Sequence, residues 1–147
     1  MSDSKSVIWV HGDALSPRHP VFLQASGAPA LFVWDDALLQ EWRISLKRVL
    51  FMYECLLEIP VTIRRGDVAV EVLRFAQEHS AARILTPSSP SPRHRWWCQR
   101  IAALMPNTTS LQLVPDEPFV PDDYPYDLKR FSRYWQAARN HVLDPRR

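Results

Sequence analysis

The stretch IPVTIRRGDVAVEVLRFAQEHSAARILT, in the middle of the chain, constrains the fold more than any other part of the sequence. Its β-branched run Val61–Ile63 predicts a strand. Gly66 and Asp67 then predict a turn into a helix, because glycine tolerates positive φ and aspartate caps free N–H groups. Apolar residues recur at helical spacing over residues 68–76, and the run Arg83–Thr86 predicts another strand. Such short connections predict a right-handed βαβ crossover, and therefore a parallel sheet covered on both faces.

Three further apolar runs extend this sheet. Val7–Val10 has no polar alternation, which is typical of a central parallel strand, and the other two runs are Ala30–Trp34 and Thr109–Val114. The predicted fold class is therefore α/β, a three-layer, Rossmann-like, open parallel sheet of about five strands with flanking helices.

Helices are predicted between these strands. Asp35 and Asp36 cap the longest one, Ala37–Glu58, whose inward stripe contains Leu39, Trp42, Leu46, Val49, Leu50, Tyr53, Leu56 and Leu57. Pro92 begins another helix after a proline-rich loop. In this helix we expect Trp97, Ile101 and Leu104 to face inward. The start and the outer face are expected to carry Arg93, His94, Arg95 and Arg100.

The composition changes after the last predicted strand. Prolines alternate with acidic residues over Pro115–Pro125, which predicts an extended, acidic crossing segment. Tyr126–Val142 then has the pattern of an amphipathic helix with aromatic residues on one side. We expect a first domain over residues 1–120 and a C-terminal extension over residues 121–147. The aromatic residues Phe131, Tyr134 and Trp135 need a surface to pack on, either that of their own domain or that of another chain.

The charge balance and the cysteine content narrow the class of protein. The 18 basic and 16 acidic residues leave a net charge of +2, too small by itself to indicate binding to DNA or to an anionic membrane. There is no signal-peptide pattern and no apolar run of about 18 residues. Cys55 and Cys98 are isolated from each other. We therefore expect a cytoplasmic protein that does not insert into a membrane.

Polar residues follow several predicted strands, at the edge where open α/β sheets bind ligands. His11, Gly12 and Asp13 follow the first strand, Asp35 follows the second, and Thr86 and Ser88 end the fourth. These six residues are the candidate ligand crevice. With only 3 glycines the chain has no glycine-rich phosphate cradle, and its 5 histidines have no metal-ligand spacing, so no metal site is predicted.

The cluster Arg93-His94-Arg95-Trp96-Trp97 has two interpretations. Cations beside an exposed ring suit phosphate contact and base stacking, which would allow nucleic acid as a partner. Alternatively, Trp97 packs on the sheet and the arginines are solvated, which the pattern favours. The candidate partner surface consists of Arg93, Arg95 and Trp96 together with Phe131, Tyr134 and Trp135.

Two motifs carry a family resemblance. The opening VIWVHGDALSPRHPVF and the later VTIRRGDVAVEVL are similar, in order and spacing, to segments of the N-terminal α/β, antenna-type domain of the DNA photolyase and cryptochrome family. Asp13 matches an acid in the family's first loop, and Pro20 matches a proline after it. The resemblance covers about residues 7–120.

The resemblance implies a limited role. In that family a helical domain binds FAD, and these residues contain no counterpart of it, so we expect no flavin-driven repair by this polypeptide alone. The family's α/β domain holds an antenna chromophore. Folate-binding members have an Asn-Glu pair where this chain has Thr86-Pro87-Ser88-Ser89, which argues against folate. A flavin or deazaflavin is compatible with the crevice, although no cofactor is required.

Three functions remain open at this stage. The first is a stand-alone, non-catalytic protein-binding or assembly module that engages another protein through its C-terminal extension. The second is a chromophore- or nucleotide-binding accessory subunit of a separately encoded flavoprotein in light response or DNA photorepair. The third is a small hydrolase or transferase that uses His11 and Asp13 as an acid/base pair. Because no catalytic constellation is recognisable, no catalytic residue is assigned and the first function is favoured.

Overall fold

The computed structural model describes residues 5–118, 120 and 125–143. Its sheet confirms the predicted α/β fold: five strands, all parallel, run in the order β3-β2-β1-β4-β5. The strands are β1 (Ser6–Val10), β2 (Ala30–Trp34), β3 (Val61–Arg65), β4 (Arg83–Pro87) and β5 (Ser110–Val114). The helices are α1 (Pro20–Gln24), α2 (Asp36–Glu41), α3 (Leu46–Leu56), α4 (Val68–Glu78), α5 (Pro92–Leu104) and α6 (Phe131–Val142).

The central crossover forms as the sequence predicts. Gly66 ends β3 with a φ of +150°, a conformation that side-chain-bearing residues rarely adopt. Asp67 caps α4, because its Oδ1 accepts a hydrogen bond from the Val70 N–H at 3.0 Å. The chain therefore turns from strand to helix within two residues, and α4 returns across the sheet to β4.

Alternate residues of the central strands supply two separate cores. Val7, Trp9 and Ile84 belong to one cluster, with α4 and α5 packed over it. Ile8, Val10 and Leu85 belong to the other, which contains α1 and α3 residues. Burial of both faces restricts the polar residues of β1 to its ends. Ligand contacts of β1 are therefore expected at the ends of the strand.

The prediction of one helix over Ala37–Glu58 is wrong. The structure has two helices in this segment, α2 and α3. The Ile44 N–H donates to the Leu39 carbonyl at 2.9 Å and the Arg43 N–H to the Gln40 carbonyl at 3.0 Å, the hydrogen-bond pattern of a Schellman motif. Arg43 takes a φ of +48° to close it. Ser45 then accepts a hydrogen bond from the Arg48 N–H and begins α3. The apolar period continues across this break and conceals it.

The inward stripe predicted for this segment is also partly wrong. Met52 and Leu56 are buried, whereas Leu46, Leu50, Tyr53 and Leu57 are exposed. The reason is that α3 has apolar residues on more than half of its circumference, and only packing on the sheet selects the face that is buried.

Two further expectations differ in detail. In α5, His94 is buried and Leu104 is exposed, the reverse of the prediction. The last helix begins at Phe131 rather than Tyr126, because the Asp127 carboxylate accepts from the Lys129 N–H and holds a turn before it. The acidic segment Pro115–Pro125 lies partly outside the described residues.

The chain divides into two compact units, Met1–Asp116 and Glu117–Arg147. The sheet and helices α1 to α5 belong to the first unit, and α6 belongs to the second. In the ranges that the structure describes, none of the helices is both long and apolar enough to cross a bilayer.

The left-handed conformation of Arg43 predicts a stabilising substitution. We expect Arg43→Gly to raise the free energy of unfolding by about 0.5–1 kcal/mol, because glycine avoids the steric penalty of an L-residue at positive φ. Urea unfolding monitored by circular dichroism measures the change. Gln99→Gly, in the exposed interior of α5, is the control and should lower stability by about 1 kcal/mol. A lower stability of Arg43→Gly would contradict the prediction.

Candidate functional site

A cavity of about 250 Å³ lies at the carboxyl ends of β1 and β2. Its walls are mainly aromatic and aliphatic. Four of the tryptophans of the first unit line it, namely Trp9, Trp34, Trp42 and Trp97. Leu38, Leu39 and Met52 also line it, so most of the wall suits an apolar, flat ligand.

Gly12 keeps this cavity open on the side of the first loop. A Cβ placed on Gly12 would approach the Met52 Cε to 2.8 Å, closer than such atoms come in proteins. Both residues line the cavity. A larger residue at position 12 would therefore displace the Met52 side chain.

Two arginines supply positive charge to the cavity. Arg48 lies in the first turn of α3, and Arg93 lies in the first turn of α5. The Arg93 guanidinium carbon lies 4.5 Å from the centroid of the Trp42 ring, which holds the cation against the aromatic wall. Neither arginine forms an ion pair with a carboxylate of the described residues. Both therefore remain available to an anionic ligand.

The positions of these arginines are electrostatically unfavourable by themselves. A helix N-terminus carries partial positive charge and is stabilised by acidic residues in its first turn. Neither α3 nor α5 has one there. Two arginine side chains and two helix ends thus contribute positive charge near the cavity, and a bound anion beside them would be favourable.

The His11 ring joins the loops that follow β1 and β4. Its Nε2 donates a hydrogen bond to the Pro87 carbonyl at 2.8 Å, and its Nδ1 accepts from the Asp13 N–H at 3.3 Å. Both ring nitrogens are therefore occupied in the neutral tautomer. Burial lowers the pKa of His11 from 6.5 to about 4, against the opposing effect of the Pro87 hydrogen bond. In this arrangement His11 is a positioning group rather than a free base.

A second contact ties the same two loops. The Ser89 hydroxyl donates to the Asp13 carboxylate at 2.8 Å. Together with the His11 hydrogen bond, it fixes the loops on either side of the point where the strand order reverses, between β1 and β4. In open α/β sheets this reversal opens the crevice in which ligands bind.

His94 forms a neutral aromatic part of the wall. Its ring stacks on Trp9, with centroids 5.6 Å apart and an interplanar angle of 15°, and it lies 4.3 Å from the His11 ring. Burial lowers the pKa of His94. Cys98 contacts this ring with its Sγ 3.6 Å from Nε2, and burial raises the pKa of the thiol to about 11. The side chains of His11, His94 and Cys98 are therefore uncharged at neutral pH.

The candidate crevice residues fall into two groups. His11, Gly12, Asp13 and Asp35 line the cavity together, and Asp35 also caps α2 through the Leu38 N–H. Thr86 and Ser88 do not line it. The buried Thr86 hydroxyl has no hydrogen-bond partner in the described part of the chain. The exposed Ser88 uses its N–H to bond the Val114 carbonyl at 2.8 Å, which ties β4 to β5.

The candidate partner residues lie in both units. In the first unit, Arg93 lines the cavity, Arg95 is exposed, and the half-exposed Trp96 packs edge-on against Trp97 with ring centroids 4.6 Å apart. In the second unit, Phe131 stacks parallel to Trp135 at 6.2 Å. Tyr134 meets the Tyr126 ring edge-on at 5.4 Å.

Sequence reasoning did not assign the aromatic wall to a site. The sequence pattern predicts that Trp9, Trp34 and Trp42 are core residues and that Arg48 is a surface residue of a helix. One signal was present, since Trp9 and Trp34 stand at or beside the last residue of their strands. Strand ends in parallel sheets carry ligand contacts, so a tryptophan there is a candidate as well as a core residue.

The low pKa of His11 predicts a pH dependence of stability. The unfolded chain takes up a proton near pH 6.5 and the native ring only near pH 4, so stability is lost as the pH falls between these values. His11→Gln keeps a donor for the Pro87 carbonyl but does not titrate. Between pH 7 and pH 4.5 we expect the variant to lose about 1–2 kcal/mol less unfolding free energy than the wild type. Urea unfolding at both pH values measures this, and equal losses would show that His11 does not titrate as described.

Comparison with known proteins supports the fold. No protein-family model matches the chain, and no curated protein matches its sequence. The structure is similar to a bacterial class III photolyase from Agrobacterium tumefaciens, with a TM-score of 0.59, 12% identity, and coverage of 95% of this chain and 32% of the photolyase. It is also similar to hypothetical protein PH0823, with a TM-score of 0.46 and 16% identity over 78% of this chain and 97% of the other. For hypothetical protein MJ0577 the TM-score is 0.44, with 12% identity over 78% and 98% of the two chains. The resemblance to the photolyase is confirmed as a likeness of fold, and the function has to be argued from the site.

Proposed function

We propose that the chain binds a planar aromatic ligand that carries an anionic group, of the flavin or deazaflavin mononucleotide class, in the cavity at the ends of β1 and β2. One observation carries the proposal: four tryptophans and two arginines without carboxylate partners among the described residues surround the same space. Both arginines are exposed and line the cavity, so a ligand that enters from solvent can reach them.

The walls favour a flat ring system. Tryptophan faces and edges bind aromatic rings through offset stacking and edge contacts. The volume of about 250 Å³ lies just below the roughly 300–1,000 Å³ usual for drug-sized ligands, so it suits the ring portion of a mononucleotide better than a dinucleotide. The remainder of such a ligand would extend toward the open side of the cavity.

The charges favour an anionic substituent on that ring system. Arg48 and Arg93 approach the cavity from the first turns of two different helices. Guanidinium groups bind phosphate with charge-assisted and often bidentate hydrogen bonds. Asp13 and Asp35 also line the cavity, but Asp13 accepts from Ser89 and Asp35 from the Leu38 N–H, so each already has a hydrogen-bond donor.

Binding of this ligand would make the chain a chromophore-binding accessory subunit of a flavoprotein in light response or DNA photorepair. The likeness of fold to a class III photolyase supports this context, because it gives the chain the layout of part of that protein. The hydrogen bonds at both nitrogens of His11 favour a binding role over the hydrolase or transferase alternative.

The proposal predicts how binding depends on phosphate and on Arg93. Purified protein should quench the fluorescence of flavin mononucleotide, since bound rings would lie against tryptophans, and should bind riboflavin more weakly. We expect Arg93→Ala to weaken mononucleotide binding by about tenfold or more, the loss of one charge-assisted hydrogen bond, and to affect riboflavin much less.

The matched control for this titration is Arg95→Ala. Arg95 lies two residues from Arg93, is exposed, and does not line the cavity. Its removal should leave both affinities within about twofold of wild type. Equal losses in the two variants would mean that net charge alone drives binding, and no binding of any flavin would contradict the proposal.

A second function, a protein-binding or assembly module that acts through the C-terminal extension, is favoured by a separate observation. The ring of Phe131 stacks on Trp135 with an interplanar angle of 10°, and both side chains are exposed. A rigid, exposed aromatic pair has the character of a binding hot spot. Arg133, between them, is held by Asp127, which orders the start of the helix.

This second candidate is tested by capture from native extract with mass spectrometry. We expect one stoichiometric partner, and Phe131→Ala should reduce its capture by about tenfold or more, because hot-spot truncations commonly remove 2 kcal/mol or more. Gln136→Ala, on an exposed position of the same helix, is the control. Undiminished capture by Phe131→Ala would place the contact elsewhere.

A further inference from the structure

Helix α3 has a second apolar face that is exposed. Leu46 is 83% exposed, Leu50 55%, Tyr53 47% and Leu57 67%. Their spacing places them within about 60° of one another on a helix of 3.6 residues per turn. Met52 and Leu56 occupy the adjacent face, which packs on the sheet. The four exposed residues form a continuous line along α3, here called the α3 stripe.

The charges beside the α3 stripe are distributed against the helix dipole. Lys47 lies in the first turn, where acidic residues are favourable. Glu54 lies in the last turn and Glu58 directly follows the C-cap Leu57, where cations are favourable. In the part of the chain that the structure describes, none of the three forms an ion pair.

The three charged residues lie on one side of the α3 stripe. At about 100° per residue, Lys47, Glu54 and Glu58 are all roughly 70–110° from the centre of the stripe and in the same direction. One flank of the apolar line is therefore basic at its beginning and acidic at its end. A partner that relieves this pattern must present an apolar line with the opposite order of charges.

We propose that the partner is a second copy of this chain, paired through the α3 stripe in antiparallel orientation. A two-fold axis midway between Leu50 and Tyr53 places each Leu50 opposite the partner's Tyr53, and each Leu46 opposite the partner's Leu57. Lys47 then falls between the partner's Glu54 and Glu58, about 3 Å along the axis from each, at a rise of about 1.5 Å per residue.

Antiparallel pairing satisfies both features of α3 at once. It buries the apolar line of each copy and brings each basic end next to an acidic end, with the two helix dipoles opposed. A two-fold parallel pair would place the charged flanks of the two copies on opposite sides of the interface, so Lys47 would not meet the partner's glutamates. The antiparallel interface is isologous, so it closes as a dimer and does not extend into a filament.

The size of the contact limits its strength. One line of four side chains from each copy is smaller than the roughly 800 Å² per partner of standard interfaces. We therefore expect a dissociation constant on the order of 10 µM, and association that depends on concentration. The dimer does not use the cavity, because none of the four stripe residues lines it.

Sedimentation equilibrium of the full chain tests this inference. The average mass should rise from the 17.1 kDa of one chain at low micromolar concentration toward twice that value at about 200 µM. Leu50→Glu should raise the dissociation constant by at least tenfold. Leu104→Glu, at an equally exposed leucine (55%) of α5, should leave it unchanged. Circular dichroism checks that both variants are folded.

A charge exchange distinguishes the antiparallel dimer from other contacts of the same surface. Lys47→Glu makes the flank wholly acidic, and the double variant Glu54→Lys, Glu58→Lys makes it wholly basic. Each should be monomeric alone, and an equimolar mixture should form a one-to-one dimer. A monomeric wild type at 200 µM, an unchanged dimer in Leu50→Glu, or a mixture that stays monomeric would each overturn the proposal.

Discussion

The parallel pairing of β1 with both β2 and β4 determines where the candidate cavity lies. Because β1 is central and buried on both faces, its polar neighbours are confined to its two ends, and the loop at its carboxyl end carries His11 and Asp13. In the sheet, β2 and β3 lie on one side of β1, and β4 and β5 lie on the other side. The loops after β1 and β4 therefore separate at this reversal. The hydrogen bond from His11 to Pro87 and the contact of Ser89 with Asp13 hold them in place.

Burial then decides the charge of the candidate site. It lowers the pKa of His11 and of His94, so both imidazoles contribute aromatic surface and hydrogen bonds rather than charge at neutral pH. The charged side chains that line the cavity are Arg48, Arg93, Asp13 and Asp35. The proposed binding of a flat anionic ligand therefore depends on the aromatic wall and on the two arginines, and not on the small net charge of the chain.

The break between α2 and α3 links the site to the exposed surface. If residues 37–58 formed one straight helix, Trp42 and Arg48 would lie about 120° apart around its axis. Instead, the left-handed turn at Arg43 lets Trp42 pack with the first core cluster while Met52 and Leu56 belong to the second. Trp42 and Arg48 thereby meet at one cavity. In the described part of the chain, Leu46, Leu50, Tyr53 and Leu57 stay exposed on α3.

The sequence by itself determined the layers, the parallel sheet and the central crossover, because these depend on local signals: unbroken apolar strands, Gly66 at positive φ, and the Asp67 cap. It also indicated the loop after β1 as the candidate site, since His11, Gly12, Asp13 and Asp35 follow strand ends. Only the tertiary structure decided which apolar residues are covered. Trp9, Trp42 and His94 are far apart in the sequence. The order of the strands in the sheet brings them together in the wall of the cavity. Two adjacent faces of α3 are apolar, one with Met52 and Leu56 and the other with the α3 stripe. The periodicity of the sequence allows either of these two faces to be buried. The choice between them is made by long-range packing against the sheet, which no local pattern records.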